Sequence, residues 1–161
     1  MPNLLIFLPC EKVIISSRSE GGDNSASVIA VLEGLHFTKE PPPLRKDDDV
    51  TGIPMQWAIF TLWEHGPGEE GSEFEQICTL DSPNGKELLR ASIKFRFTKL
   101  RNRNTITIVG MPIDGPGKYN LRLFLADAKT PEILIEKASF PILISIATPT
   151  EKPSASPGPV S

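Results

Sequence analysis

The sequence predicts an all-β protein built as an antiparallel β-sandwich of about seven to eight strands. Three observations predict it: apolar residues recur at every second position, glycine and proline interrupt the chain at short intervals, and no segment has a convincing helical period. The chain of 161 residues holds 16 prolines and 12 glycines and has a formal net charge of −3. That proline content argues against a helical bundle, and the length suits one domain with one core.

Alternation of apolar and polar residues defines the predicted strands. It is clearest at 89–98, where Leu89, Ile93 and Phe95 share one face and Lys94 lies on the other. Such a segment buries one face on a core and leaves the opposite face in water. By the same pattern we expect seven further strands, at 4–15, 27–37, 55–63, 73–80, 104–110, 118–125 and 132–146.

Two of these strands need an additional argument. Residues 26–35 also fit a helical period, but the β-branched side chains of Val28 and Val31 favour a strand. The last strand, 132–146, should bend at Pro141, because a proline cannot donate a hydrogen bond to a central ladder.

Turns and polar segments divide the chain. The Asp-Ser-Pro-Asn-Gly sequence at 81–85 predicts a hairpin, because Asn-Gly fits a tight turn. Residues 39–52, with three prolines and three aspartates, predict an extended polar crossover and not a second domain. We therefore expect one β-sandwich domain at 1–146 and a disordered Pro/Ser-rich tail at 147–161, since the tail has almost nothing apolar to offset its ordering entropy.

The amino-terminal residues resemble an export signal only superficially. No basic residue precedes Leu4, and Pro9 breaks the apolar run before it reaches the required length. No apolar segment approaches the roughly 20 residues that cross a bilayer. The two cysteines, Cys10 and Cys78, are expected to be reduced and buried, although one bridge between them stays possible. These features predict a cytoplasmic protein without a membrane partner.

Catalytic and metal-binding patterns are missing from the sequence. There is no phosphate-binding loop, nucleophile elbow, His-Glu-x-x-His or Cys-x-x-Cys motif, and spacing links neither His36 nor His65 to a nucleophile. Aspartates 47–49 and the glutamates within 69–75 could bind a cation, but consecutive side chains point in different directions. We expect a non-enzymatic protein with no cofactor and no metal site.

A basic stretch is the first candidate binding surface. Residues 86–103 carry a local charge of +6, so the rest of the chain carries −9. This stretch could bind an anionic ligand or a nucleic acid, or its cations could keep a sheet soluble and pair with the glutamates of 69–75. Phe95 and Phe97 point to the opposite face, which disfavours base stacking. The candidate residues are Arg90, Lys94, Arg96, Arg101 and Arg103.

A doubly apolar strand is the second candidate. Residues 55–63 have apolar side chains on both faces of the predicted strand, with Trp57 and Trp63 on one face and Phe60 on the other. A sandwich strand buries only one face against the core, so a loop or another subunit must cover the second. Trp57 and Trp63 are therefore candidate binding residues for a protein partner or, as a lesser alternative, for a carbohydrate.

The turn at Gly115–Tyr119 resembles the Gly-x-Tyr corner of immunoglobulin-like sandwiches, although Asp114 lies one position further from the glycine than usual. The order of the segments 4–8, 27–35 and 117–127 is also similar to an uncharacterised bacterial family of unknown function. Those resemblances imply an immunoglobulin-like fold and no particular activity. We therefore expect an interaction module that binds a protein partner or itself, with anionic ligand or nucleic-acid binding through residues 86–103 as the alternative.

Overall fold

Two stacked β-sheets make up the protein in a computed structural model that describes residues 1–16, 25–38 and 51–147. The predicted all-β sandwich is confirmed, with nine strands in the described ranges instead of seven or eight. Of the predicted crossover at 39–52, residues 39–50 with the three aspartates lie outside the described residues, and Thr51 and Gly52 belong to β4. Of the predicted tail at 147–161, residues 148–161 lie outside them, and the Ala147 amide donates to the Phe37 carbonyl. The strands are β1 (Asn3–Ser16), β2 (Ser25–Val31), β3 (Gly34–Phe37), β4 (Thr51–Glu64), β5 (Glu73–Asp81), β6 (Glu87–Arg96), β7 (Arg101–Ile113), β8 (Gly117–Asp127) and β9 (Thr130–Ile146).

The order of strands places four edges at the sides of the sandwich. The first sheet has the order β2-β1-β4-β7, and the second has the order β3-β9-β8-β5-β6. All pairs are antiparallel except β3 with β9, which are parallel, so the sandwich is not purely antiparallel as predicted. The strands β2, β7, β3 and β6 are therefore the outer strands of the described sheets.

The prediction of one strand at 27–37 is wrong, because the chain changes sheets within it. The Leu32 amide still donates to Pro9 of the first sheet at 2.9 Å, whereas the Glu33 carbonyl accepts from Leu143 of the second sheet at 3.0 Å. Just before this switch Ala30 has a φ of 51°, in the left-handed region that alanine rarely adopts. Val31 still pairs with Cys10 after this residue, so the chain leaves the first sheet only after Leu32.

The core lies between the sheets and follows the predicted alternation. On β8 the side chains of Tyr119, Leu121, Leu123 and Leu125 are all fully buried. They pack with Trp57, Ile59 and Trp63 of β4, among other residues of the same cluster. Burial of many large apolar side chains on both sheets is the main stabilising contribution to such a fold.

The second apolar face of β4 is covered within the chain. Ala58 and Phe60 are 4% and 3% exposed and form a separate cluster with Cys10 of β1. Val13 and Val28 of the β1–β2 hairpin pack against the same cluster. The hypothesis that another subunit must cover this face of β4 is therefore unnecessary.

The turn before β8 has the predicted tyrosine corner. The Asp114 amide donates to the Tyr119 hydroxyl at 2.9 Å, and the hydroxyl lies 2.7 Å from the Gly115 carbonyl oxygen and 2.9 Å from Asp114 Oδ1. Burial is the main cause that raises the pKa of Tyr119 to about 12. This hydroxyl ties the turn to the strand that follows, and the sandwich is immunoglobulin-like.

Two predictions concern segments that contain a proline. The 81–85 hairpin is confirmed, since the Ser82 amide donates to Lys86 and Gly85 has a φ of 78°. At Pro141, β9 stays in register with β8 and its irregularities occur nearer its start, so the predicted bend stays a prediction. The nitrogen of Pro141 faces the same side as that of Leu143, where β3 has not yet begun, so no ladder bond is lost.

Candidate interaction edges

The five candidate cations of 86–103 do not share one face. Arg90, Lys94 and Arg96 lie on β6 at the edge of the second sheet, with Lys94 opposite Glu75 of β5. Arg101 and Arg103 lie on β7 in the first sheet instead of in the turn between the strands. The candidate cations are divided between β6 and β7, which are neighbouring outer strands of the two sheets, because the turn after β6 carries the chain to the other sheet. Binding of a ligand by all five together stays a prediction.

Carboxylates accompany three of the candidate arginines. Arg90 donates from Nε and Nη2 to Glu87 at 2.9 and 3.0 Å, and this hydrogen-bonded pairing raises the pKa of the Arg90 guanidinium. Arg96 pairs with Glu73 across the β5–β6 ladder. Arg101 donates to Glu64 of β4 at 2.9 Å. A phosphate would have to displace these carboxylates, so the interpretation of the cations as a solvated, paired face fits the geometry better.

Arg122, which the sequence analysis did not single out, adds a further guanidinium to the charged outer face of the second sheet. Arg122 of β8 bridges Glu136 of β9 and Asp81 of β5, with Nη–O distances of 2.6 and 3.4 Å. Its guanidinium carbon also lies 4.7 Å from the centre of the Phe124 ring. Hydrogen bonding to Arg122 is the main cause that lowers the pKa of the Glu136 carboxyl. The outer face of the second sheet is therefore a mosaic of paired charges.

The two candidate tryptophans belong to the interior. Trp57 and Trp63 are both 0% exposed. The Trp57 indole nitrogen donates to the Gly110 carbonyl at 3.2 Å, and that of Trp63 donates to Gln76 Oε1 at 2.8 Å. No ring face is left for a sugar to stack on, because both indoles are packed in the core.

Exposed apolar side chains concentrate on the β1–β2 hairpin. On β1 they include Ile15 at 56% exposure, and on β2 they include Ile29 at 41% and Val31 at 43%. Ile29 and Val31 are two residues apart on β2, so exposed apolar surface lies along this outer strand. Among the described residues the hairpin exposes Leu5, Ile6, Ile14, Ile15, Ile29 and Val31.

The outer edge of β2 differs from the other three edges. Its sequence, Ser-Ala-Ser-Val-Ile-Ala-Val, contains no charged residue and no proline. The other edges are blunted: β3 is four residues long, β6 carries Arg90, Lys94 and Arg96, and β7 carries Arg101, Arg103 and Pro112. Charges, prolines and shortness are the devices that keep an edge from pairing with another chain. Within the described residues, β2 lacks them all.

The remaining reactive side chains form no catalytic arrangement in the described residues. His36 Nδ1 lies 2.8 Å from Ser145 Oγ on the neighbouring strand, and His65 Nδ1 lies 2.8 Å from the Gly66 carbonyl. In the described part of the chain, no three His, Cys, Asp or Glu side chains are grouped so that they could hold a metal ion. Cys10 and Cys78 are free and buried, and burial raises the pKa of Cys78 to about 12.

Comparison with known protein families and with curated proteins finds no match to this chain. The resemblance to an uncharacterised bacterial family stays a prediction. Across the described ranges, no helix is long and apolar enough to cross a membrane.

Sequence reasoning missed the β2 edge, although part of the signal was present. The uncharged run from Ser25 to Val31 is visible in the sequence. Its position at an edge is not, because that depends on β1 pairing with β2 on one side and β4 on the other.

Proposed function

We propose that this protein is a non-enzymatic interaction module that pairs with a second copy of itself along the outer edge of β2. The observation that carries the proposal is an edge strand with no charge and no proline, which exposes Ile29 and Val31 and lies beside the exposed Ile15 of β1. An unpaired edge offers backbone donors and acceptors to an added strand, while side chains on alternate positions supply apolar contact.

Pairing of β2 with itself is compatible with its residues. In an antiparallel arrangement centred on Val28, Ser27 of one copy lies opposite Ile29 of the other, and no two like charges meet. The same arrangement on β6, centred on Ser92, would place Arg90 opposite Lys94, which is unfavourable. A two-fold axis at β2 would join two four-stranded sheets into one continuous sheet, in the isologous geometry that most dimers have.

Apolar side chains of the hairpin would add to the backbone pairing. Ile14 of β1 lies opposite Ser27, and Ile15 lies opposite Ala26, so both are one strand away from the proposed interface. Complete burial of an isoleucine contributes about 1.5–3 kcal/mol, and side chains that are about half exposed can gain at most about half of that. Several such contacts must exceed the loss of translational and rotational freedom on association.

Light scattering coupled to size-exclusion chromatography tests the proposal. We expect a dimer mass for the native chain and a monomer mass for Ile29→Lys, because an edge lysine opposes strand addition. Val109→Lys is the matched control, since Val109 is an equally β-branched and 87% exposed residue on β7. A native monomer, or a dimer that persists in Ile29→Lys, would refute pairing of the β2 edge with a second copy of the chain.

A different protein is the alternative occupant of the same edge. A native monomer would favour it, because an edge that does not pair with a second copy stays open to a strand of another sequence. The free, buried cysteines support a reducing compartment, and we propose a cytoplasmic location on that basis. Binding of an anionic ligand or nucleic acid has less support, because Arg90, Arg96 and Arg101 are already paired with carboxylates.

A further inference from the structure

A cluster of polar side chains, the core polar cluster, lies inside the sandwich and consists of Thr61, Trp63, Gln76 and Asn104. All four are between 0% and 4% exposed. Gln76 extends from β5 of the second sheet, while Thr61 and Trp63 come from β4 and Asn104 from β7 of the first sheet. The cluster therefore spans the interface between the two sheets.

One oxygen atom joins the two sheets. Gln76 Oε1 accepts hydrogen bonds from Thr61 Oγ1 at 2.7 Å, from Trp63 Nε1 at 2.8 Å and from Asn104 Nδ2 at 3.1 Å. An indole nitrogen can only donate, so the atom facing Trp63 must be the oxygen of the amide. The other end of the amide, Gln76 Nε2, points to Cys78 Sγ at 3.6 Å. The orientation of Gln76 is therefore determined by its partners.

We propose that Gln76 locks the relative position of the two sheets. Apolar side chains pack without direction, so a core of leucine and isoleucine tolerates small shifts of one sheet against the other. Three donors aimed at a single oxygen do not tolerate them, because a shift leaves buried polar groups without partners. The core polar cluster therefore selects one packing arrangement of the two sheets, and this selection requires the burial of polar groups.

Two variants distinguish selection of one sheet arrangement by the core polar cluster from a contribution of the cluster to folding stability. Gln76→Leu removes the acceptor and leaves three donors buried, so its thermal midpoint should fall by about 10 °C. The triple variant Thr61→Val, Gln76→Leu, Asn104→Leu also removes two of the donors and should recover most of that loss. Thr79→Val is the control, because the Thr79 hydroxyl is buried without a partner in the described structure, and its loss should leave the midpoint unchanged or higher.

The indole N–H resonance of Trp63 reports the position of the sheets, with Trp57 as the internal reference. We expect one sharp Trp63 signal in the native chain and in Thr79→Val, and several signals or a broadened one in the triple variant. A triple variant with one sharp signal and native near-ultraviolet dichroism would overturn the proposal. So would a triple variant that does not fold while Thr79→Val does, since the cluster would then supply stability and not selection.

Discussion

The two edge strands β2 and β6 differ in whether their side chains oppose pairing of the edge with another chain. Both are outer strands of their sheets and both leave one row of backbone groups unpaired within the described structure. On β6, cations occupy alternate outward positions, and Arg90 and Arg96 are held by Glu87 and Glu73. On β2, the outward positions hold serine, isoleucine and valine.

The difference shows how an edge is kept available or closed by a few side chains. A row of arginine and lysine repels a second identical strand and keeps the edge hydrated. A neutral, β-branched edge has no such barrier, and its exposed Ile29 and Val31 gain by being covered. A module that must join one neighbour and avoid others needs one edge of each kind.

The largest effect is expected when the cations of β6 are replaced so that its edge resembles that of β2. We expect the triple variant Arg90→Val, Lys94→Ile, Arg96→Val to associate beyond the native state, with at least roughly a doubling of mass by light scattering, because the barrier to edge pairing is gone. The matched control replaces the same three residues by glutamine, which removes charge without adding apolar surface. Equal association of both variants would attribute the effect to charge loss alone.

Stability of the common scaffold is the next largest effect. The core between the two sheets includes β8, whose Tyr119 hydroxyl closes the corner at Asp114 and Gly115. We expect Tyr119→Phe to lower the free energy of unfolding by about 1–1.5 kcal/mol, measured by urea denaturation. An unchanged denaturation midpoint would show that the corner contributes no stability.

The same tyrosine gives a pH dependence with a definite sign. The folded state raises the pKa of Tyr119 to about 12, so its neutral form contributes stability that is complete below the ordinary pKa near 10 and is lost as pH rises toward 12. Because the chain has a single tyrosine, tyrosinate absorbance reports this group alone. Ionisation near pH 10 in the folded chain would contradict the buried corner.

A smaller effect is expected at the end of β2. Ala30 has a φ of 51°, a conformation that costs an alanine about 1 kcal/mol and a glycine almost nothing. We expect Ala30→Gly to raise the free energy of unfolding by up to about 1 kcal/mol, less the entropy that glycine gains in the unfolded chain. A loss of more than that amount in urea denaturation would indicate an extended Ala30.

The smallest effect belongs to the ion pairs that distinguish β6. Arg96 and Glu73 are both more than half exposed, so their coupling in a double-mutant cycle should be about 0.5 kcal/mol or less and should shrink with added salt. The variants are Arg96→Gln, Glu73→Gln and the double. A coupling several times larger would mean that the pair holds β6 in place and does not only close its edge.

Local patterns in the sequence were sufficient for most strands and insufficient for their arrangement. The alternation on β8 predicts its buried face because each side chain obeys a local rule. The change of sheet between β2 and β3 depends on which strands pair with Val31 and Gly34, and the local pattern at 27–37 does not show that. The pairing of Arg96 with Glu73 and the separation of Arg90 from Arg101 depend on which strands become neighbours, and contacts distant in the sequence decide that.

A disulfide scan along β2 tests most directly whether this edge joins two copies. In an antiparallel two-fold pairing one residue lies opposite itself, at a Cα separation of about 4.5–5.5 Å that a disulfide can span. We predict that variants with one added cysteine at a position across 26–30 form a covalent dimer with a sharp maximum at one position, while the buried Cys10 and Cys78 do not react. Efficient cross-linking at Ser92→Cys on β6, with none across 26–30, would contradict it.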